Sequence, residues 1–136
     1  MKRLLSALLL LAVFISCGRK LSPDHDWNNK QWVLMEIKGV PVQLSGSSRD
    51  AHLEFNTAEK RFSGSGGCNR IAGTYTLGKK NAVNFSNPVS TRISCPDLAF
   101  EDLFIATLKT VDNQKEDGNL LLLRNGGDVV LKLQSK

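Results

Sequence analysis

This 136-residue chain has little of what catalysis usually draws on. It holds two histidines, His25 and His52, and neither lies near a cysteine in sequence. Its three cysteines, Cys17, Cys68 and Cys95, include no Cys-x-x-Cys pair, so the common dithiol redox spacing is missing. Taken as metal ligands, Cys68, Cys95 and His52 match no zinc spacing. His25, set between Asp24 and Asp26, reads as part of a solvated linker. Neither metal nor cofactor is expected. Serines and aspartates are plentiful, but that is composition and not a Ser-His-Asp set. The glycine-rich stretch Gly64-Ser65-Gly66-Gly67-Cys68-Asn69 lacks the Lys-Ser/Thr ending of a phosphate loop. The formal charge of +5 is scattered, with no basic stripe interleaved with aromatics, which argues against a nucleic-acid partner. There is no internal repeat.

Long apolar runs are also missing, apart from residues 4–15, where only Ser6 interrupts. That run falls short of the about 20 residues a membrane-spanning helix needs. It follows the basic start Met1-Lys2-Arg3 and fits the apolar region of a secretory signal. Its end, Phe14-Ile15-Ser16-Cys17-Gly18, resembles a bacterial lipobox, with Phe14 where leucine is usual. The resemblance implies that residues 1–16 are a lipoprotein signal peptide and that Cys17 carries acyl chains such as palmitate at the mature N-terminus. The expected location is the cell envelope, lipid-anchored to a membrane. Gly18 stands where an aspartate would mark inner-membrane retention in some bacteria, so the outer membrane is favoured. Residues 17–29 are polar and read as a tether. Without residues 1–16 the formal charge becomes 16 − 13 = +3, with Arg19 and Lys20 beside the anchor.

With Cys17 assigned to lipid, Cys68 and Cys95 remain as a pair. An exported chain meets an oxidising compartment, where a disulfide persists. Closing a loop of just under thirty residues would contribute on the order of 3.5 kcal/mol in the chain-entropy model. That is substantial for a small domain.

The rest of the chain patterns as strands. Residues 31–37 are apolar on both faces. Residues 51–55 alternate, with Ala51, Leu53 and Phe55 on one side and His52 and Glu54 expected outward. Residues 73–77 and 82–86 read as a hairpin around Gly78-Lys79-Lys80-Asn81, with Tyr75, Leu77, Val83 and Phe85 inward. Asn125-Gly126-Gly127 between two leucine- and valine-rich runs is a strong hairpin signal. One helix interrupts the strands. It is expected to start with Pro96 in its first turn, to carry Asp97, Glu101 and Asp102 near its positive end, and to bury Phe100, Leu103, Phe104, Leu108 and Val111. The fold class is therefore mainly β: a small antiparallel β-barrel over residues 30–136, with one helix after the second cysteine.

Several motifs resemble the META domain, the family of the HslJ heat-shock proteins. They are Trp32-x-Leu34-x-x-Ile37, Ala51-x-Leu53-x-Phe55, Gly64-Ser65-Gly66-Gly67-Cys68-Asn69 and Gly73-x-Tyr75. Thr91-Arg92-Ile93-Ser94-Cys95 resembles the second family motif, with Ile93 in place of methionine, and Glu101-x-x-Phe104-x-x-x-Leu108 the helix beyond it. The resemblance implies a bacterial envelope protein, often a lipoprotein, linked to heat shock and with no established catalytic mechanism. Trp32, Gly64, Gly67, Cys68, Asn69, Thr91, Arg92, Cys95 and Glu101 are then structure-builders. Gly64 and Gly66 would let a strand bend or bulge. Gly67 would admit a neighbouring backbone, Asn69 would bond its local turn, and Arg92 would pair with Glu101. The expected function is a non-catalytic, stress-linked binding or assembly module, whose partner is an envelope protein, a peptide or an acyl chain. The competing expectation is a thiol redox protein using Cys68 and Cys95, with Arg92 and the helix start lowering a thiol pKa.

Overall fold

The computed structural model describes residues 27–136. The expected signal peptide, Cys17 and residues 17–26 of the expected tether lie outside the described residues. Strands β1 (Gln31–Ile37), β2 (Val40–Pro41), β3 (His52–Asn56), β4 (Arg61–Ser65), β5 (Arg70–Leu77) and β6 (Val83–Ser90) come first. Helix α1 (Leu98–Leu108) follows, then β7 (Asn113–Asp117), β8 (Leu120–Asn125) and β9 (Asp128–Ser135).

All nine strands form one antiparallel sheet in the order β6-β5-β4-β3-β1-β9-β8-β7, with β2 paired to β1 beside this path. The sheet curls into a half-barrel. Its edge strands touch where Ala82 bridges Asn113 and the Val83 amide donates to the Asp112 carbonyl at 3.1 Å. Register shifts between Leu34 and Glu36, Ala72 and Thr74, and Leu123 and Arg124 supply bulges, which increase local twist and help the sheet to curl. The expected bulge at Gly64 is not found, because the ladder runs without a shift from Leu53 across Gly64 to Ile71. It falls instead across Gly73, where a Cβ would sit 2.6 Å from the Phe62 ring.

The concave face holds the core. Leu34, Leu53, Ile71, Tyr75, Val83, Leu121, Leu123, Leu131 and Leu133 are buried there, and α1 adds Phe104, Ile105 and Leu108 to the same cluster. An aromatic group fills one part of it. Trp27 packs at a tilt against Phe55, with ring centroids 4.6 Å apart, and against Tyr75 at 5.6 Å, and Phe85 lies 5.5 Å from Phe62. Trp27, placed in the tether by sequence, is thus a core residue. Its indole nitrogen donates to Glu116 at 2.7 Å, and Asn28 accepts from the Thr57 amide at 2.9 Å. The folded body therefore includes Trp27, three residues before the expected boundary at residue 30.

Other expectations shift in detail. Leu98, not Pro96, takes the first helical position of α1; Asp97 stands at its N-cap without a side-chain capping bond, and Pro96 precedes that. The buried face of α1 is Glu101, Phe104, Ile105, Thr107 and Leu108, while Leu103 is 44% exposed. The buried face thus includes a carboxyl group and Ile105 beside the expected Phe104 and Leu108, and it leaves Leu103 outside. β7 carried no apolar signal in the sequence. It is an edge strand of polar residues, with Gln114 opposite Leu123 and Glu116 opposite Leu121 on the inner face. β8 and β9 form the expected hairpin, with Gly126 (φ +56°) and Gly127 (φ +98°) in the left-handed conformations that a tight two-residue turn requires.

Two side chains of the aromatic group should respond oppositely to truncation. Trp27→Ala removes a fully buried indole and should cost about 3–5 kcal/mol. Tyr75 keeps a buried hydroxyl with no hydrogen-bond partner among the described residues, and burial pushes its phenol above the usual range. Tyr75→Phe should therefore lie within about 0.5 kcal/mol of the parent or above it. Denaturant unfolding of both variants measures the contrast.

Candidate functional site

The two family motifs converge at the end of the half-barrel where β4 turns into β5. Residues 66–69 make that turn, closed by the Gly66 amide donating to the Asn69 carbonyl at 2.8 Å. Cys68 and Cys95 form a disulfide with Cα atoms 6.3 Å apart, tying this turn to the segment that starts α1. The pairing expected from the cysteine count is present.

Beneath the disulfide lies a buried polar network centred on Glu101 and Asn69. Glu101 is fully buried and Asn69 is 4% exposed. The Asn69 amide donates to Glu101 Oε2 at 2.6 Å, and Asn69 Nδ2 donates to Glu101 Oε1 at 3.2 Å. The Ser90 hydroxyl donates to Glu101 Oε1 as well. The carboxyl group is thus solvated by the protein, as a buried carboxyl must be. Asn69 also grips the strand-to-helix segment. Its Oδ1 accepts from the Ile93 amide at 2.7 Å and from the Thr91 hydroxyl at 3.0 Å, and its Nδ2 donates to the Ile93 carbonyl at 3.1 Å.

The network corrects three sequence expectations. Asn69 reaches across to residues 91–93 and to α1; within its own turn its Nδ2 meets the Cys68 sulfur at 3.2 Å, not the local backbone. Glu101 does not pair with Arg92. Arg92 Nη1 donates to Asp102 Oδ1 at 3.1 Å on the surface, where both groups are at least half exposed. The glycines exchange roles. Gly64 is the position of close backbone approach, since a Cβ there would lie 2.0 Å from the His52 carbonyl oxygen. A Cβ on Gly66 would lie 2.6 Å from the Glu101 side chain, so its absence makes room for the carboxyl group. A Cβ on Gly67 (φ +100°) would lie 3.1 Å from the Phe100 ring, a side chain and not another backbone. Of the other motif residues, Trp32 is buried in β1, with Lys30 Nζ 5.9 Å from its ring centroid.

Beside the disulfide opens a groove of about 750 Å³. Val42, Ala51, Pro96, Phe100 and the two half-cystines give it an apolar floor, and Gln43, Ser45, Ser47, Arg49 and Asp97 a polar rim. The rim segment before β3 is braced by Asp50. Its Oδ1 accepts from the Ser45 amide at 2.8 Å and the Ser45 hydroxyl at 2.7 Å, and its Oδ2 from the Gly46 amide at 2.8 Å. The Ser45 bonds, with help from Gly46 and the charge of Lys136, hold the Asp50 carboxyl below the ordinary value of 3.8. His52, expected on the surface, is 8% exposed, with Nδ1 2.7 Å from the Asp50 carbonyl. Sequence alternation missed this because the outer side of β3 is covered here by the segment before it. Among the described residues no cluster of His, Cys, Asp and Glu is arranged to hold a metal ion.

The family model of the META domain matches residues 25–136. An NMR structure of a protein from Burkholderia xenovorans has the same fold, with a TM-score of 0.64, 22% identity, and coverage of 81% of this chain and 83% of that one. A second NMR structure superposes with a TM-score of 0.59 at 25% identity, covering 77% of this chain and 87% of that one. A search of the curated proteins finds no match.

Two predictions separate the network from its surroundings. Glu101→Ala strands the Asn69 and Ser90 donors and should cost about 3 kcal/mol, whereas Arg92→Ala should stay within about 0.5 kcal/mol because its ion pair is exposed; thermal unfolding compares them. The second concerns acid. A carboxyl whose folded pKa is depressed stabilises the fold above its unfolded pKa and loses that contribution as pH falls through the folded value. The Ser45 and Gly46 amide resonances should therefore move together with a midpoint below pH 3.8. Asp50→Asn should abolish that transition.

Proposed function

The chain belongs to the META domain family, and on that premise we propose that it is a non-catalytic cell-envelope lipoprotein whose domain serves as a stress-linked binding or assembly module. The lipobox-like residues ending at Cys17 support the anchor, and the resemblance to heat-shock proteins supports the link to stress. The observation that carries the binding role is what the motif leaves open. Glu101 and Asn69 use their hydrogen-bonding groups inside the fold, Cys68 and Cys95 bond each other, and Arg92 is held by Asp102. What remains accessible beside them is the groove, with its apolar floor and polar rim. A polar rim favours a peptide or protein segment over an acyl chain, because backbone amides of an extended segment find partners there.

Photocrosslinking side chains placed at Gln43 and Ser47 in growing cells test this, with Thr76 on the exposed outer face of β5 as the control. Adducts of defined mass should form at the two groove positions and increase on heating. Adduct yields no greater than at Thr76 would sink the binding role. So would a thiol–disulfide exchange activity that Cys68→Ser abolishes. Intact mass of the membrane-purified chain should show loss of residues 1–16 and acyl mass on Cys17; a chain without acyl mass is not a lipoprotein.

A further inference from the structure

The half-barrel has two unlike ends. The groove and the disulfide mark one. At the other, the chain enters the fold through Trp27, and Asn28 is pinned to Thr57 in the turn between β3 and β4. β3 connects the two ends: Ala51 lies in the groove wall and Asn56 at the far turn. At about 3.4 Å per residue they stand roughly 17 Å apart.

Two turns at the entry end are basic: among residues 57–61 and 78–82, Lys60, Arg61, Lys79 and Lys80 are positive and Glu59 is the one carboxylate, while Glu116 on Trp27 and Asp112 beside Val83 flank them. The two turns are neighbours, because the Tyr75 amide donates to the Lys60 carbonyl at 2.9 Å and Arg61 pairs with Thr74. Lys60 also lies at the chain entry itself, with its Nζ 6.0 Å from the ring centroid of Tyr75, which packs on Trp27. All four cations are exposed and none of them forms an ion pair with a described residue. At the groove end Arg92 is paired with Asp102, and Arg49, Asp50 and Asp97 line the groove together.

We propose that the Lys60, Arg61, Lys79 and Lys80 turns seat the domain on an anionic lipid surface, so that the groove beside the disulfide faces away from the membrane. This rests on the lipid anchor at Cys17 proposed above. Ten residues, 17–26, separate that anchor from Trp27, and fully extended they reach at most about 35 Å. Such an anchor would confine the domain to within that reach of the bilayer. Attraction between lysines and anionic headgroups acts only within about a Debye length, roughly 8 Å at physiological salt. Such attraction is weak for a free protein. For one already confined to the surface it need only decide which end faces the lipid.

Lysine footprinting of the lipidated, full mature chain tests the orientation. The chain is reconstituted either in phosphatidylcholine vesicles or in mixed phosphatidylglycerol–phosphatidylcholine vesicles, and acetylation is followed by mass spectrometry. In the mixed vesicles, acetylation of Lys60, Lys79 and Lys80 should slow about five-fold or more, and about 0.5 M salt should restore it. Lys38, exposed just past the end of β1 away from Trp27, should react alike in both vesicles. Equal rates at the basic turns in both vesicle types overturn the proposal, as does protection centred on Lys38. Intact mass reads the anchor separately. A chain without acyl mass on Cys17 overturns the anchor and the orientation with it; an acylated chain that reacts equally in both vesicle types overturns the orientation alone.

Discussion

The carboxyl group of Glu101 is the contact on which the motif end of this fold depends. It sits in the core-facing position of α1, out of water, and accepts three hydrogen bonds, two from Asn69 and one from Ser90. A buried carboxyl group is tolerated only with such solvation. Its presence sets demands on distant residues. Gly66 must lack a Cβ, Asn69 must present both backbone and side-chain donors, and Ser90 must end β6 within reach. The glycine-rich turn is therefore shaped to receive a side chain from the helix.

The disulfide and Asn69 secure the same segment by different means. Asn69 holds the Thr91 and Ile93 region with hydrogen bonds, and the Cys68–Cys95 bridge constrains the unfolded chain between the two motifs. Two fastenings on one segment give the groove wall a fixed shape, and a fixed wall lowers the ordering cost of binding. At the opposite end the fastening is apolar. Trp27 fills the space between Phe55 and Tyr75 and ties its indole nitrogen to Glu116 on the polar edge strand β7.

Much was legible in the sequence because it is local. Alternation in β3, the Asn-Gly-Gly hairpin of β8 and β9, and the strand Gln31–Ile37 each follow from side-chain period and turn chemistry within a few residues. The family motifs were legible as residue order, and the cysteine pairing as a count. The roles inside the motif were not. Which glycine meets a carbonyl, which meets Glu101 and which meets Phe100 depends on neighbours tens of residues away. β7 escaped notice because an edge strand is held by its ladder to β8, and its own residues are polar. Trp27 and His52 were misplaced for a related reason: burial depends on what covers a residue, and here other segments do.

Composition and pattern by themselves thus determined a mainly β domain with one helix, a cysteine pair and no familiar catalytic spacing. Tertiary structure alone decided that Glu101 is a buried anchor for Asn69, that Arg92 belongs to Asp102, and that the two ends of the half-barrel differ. The physical reason is range. Period, turn preference and spacing act along the chain, while desolvation of a carboxyl group and the distribution of charge over a surface exist only once distant segments are brought together.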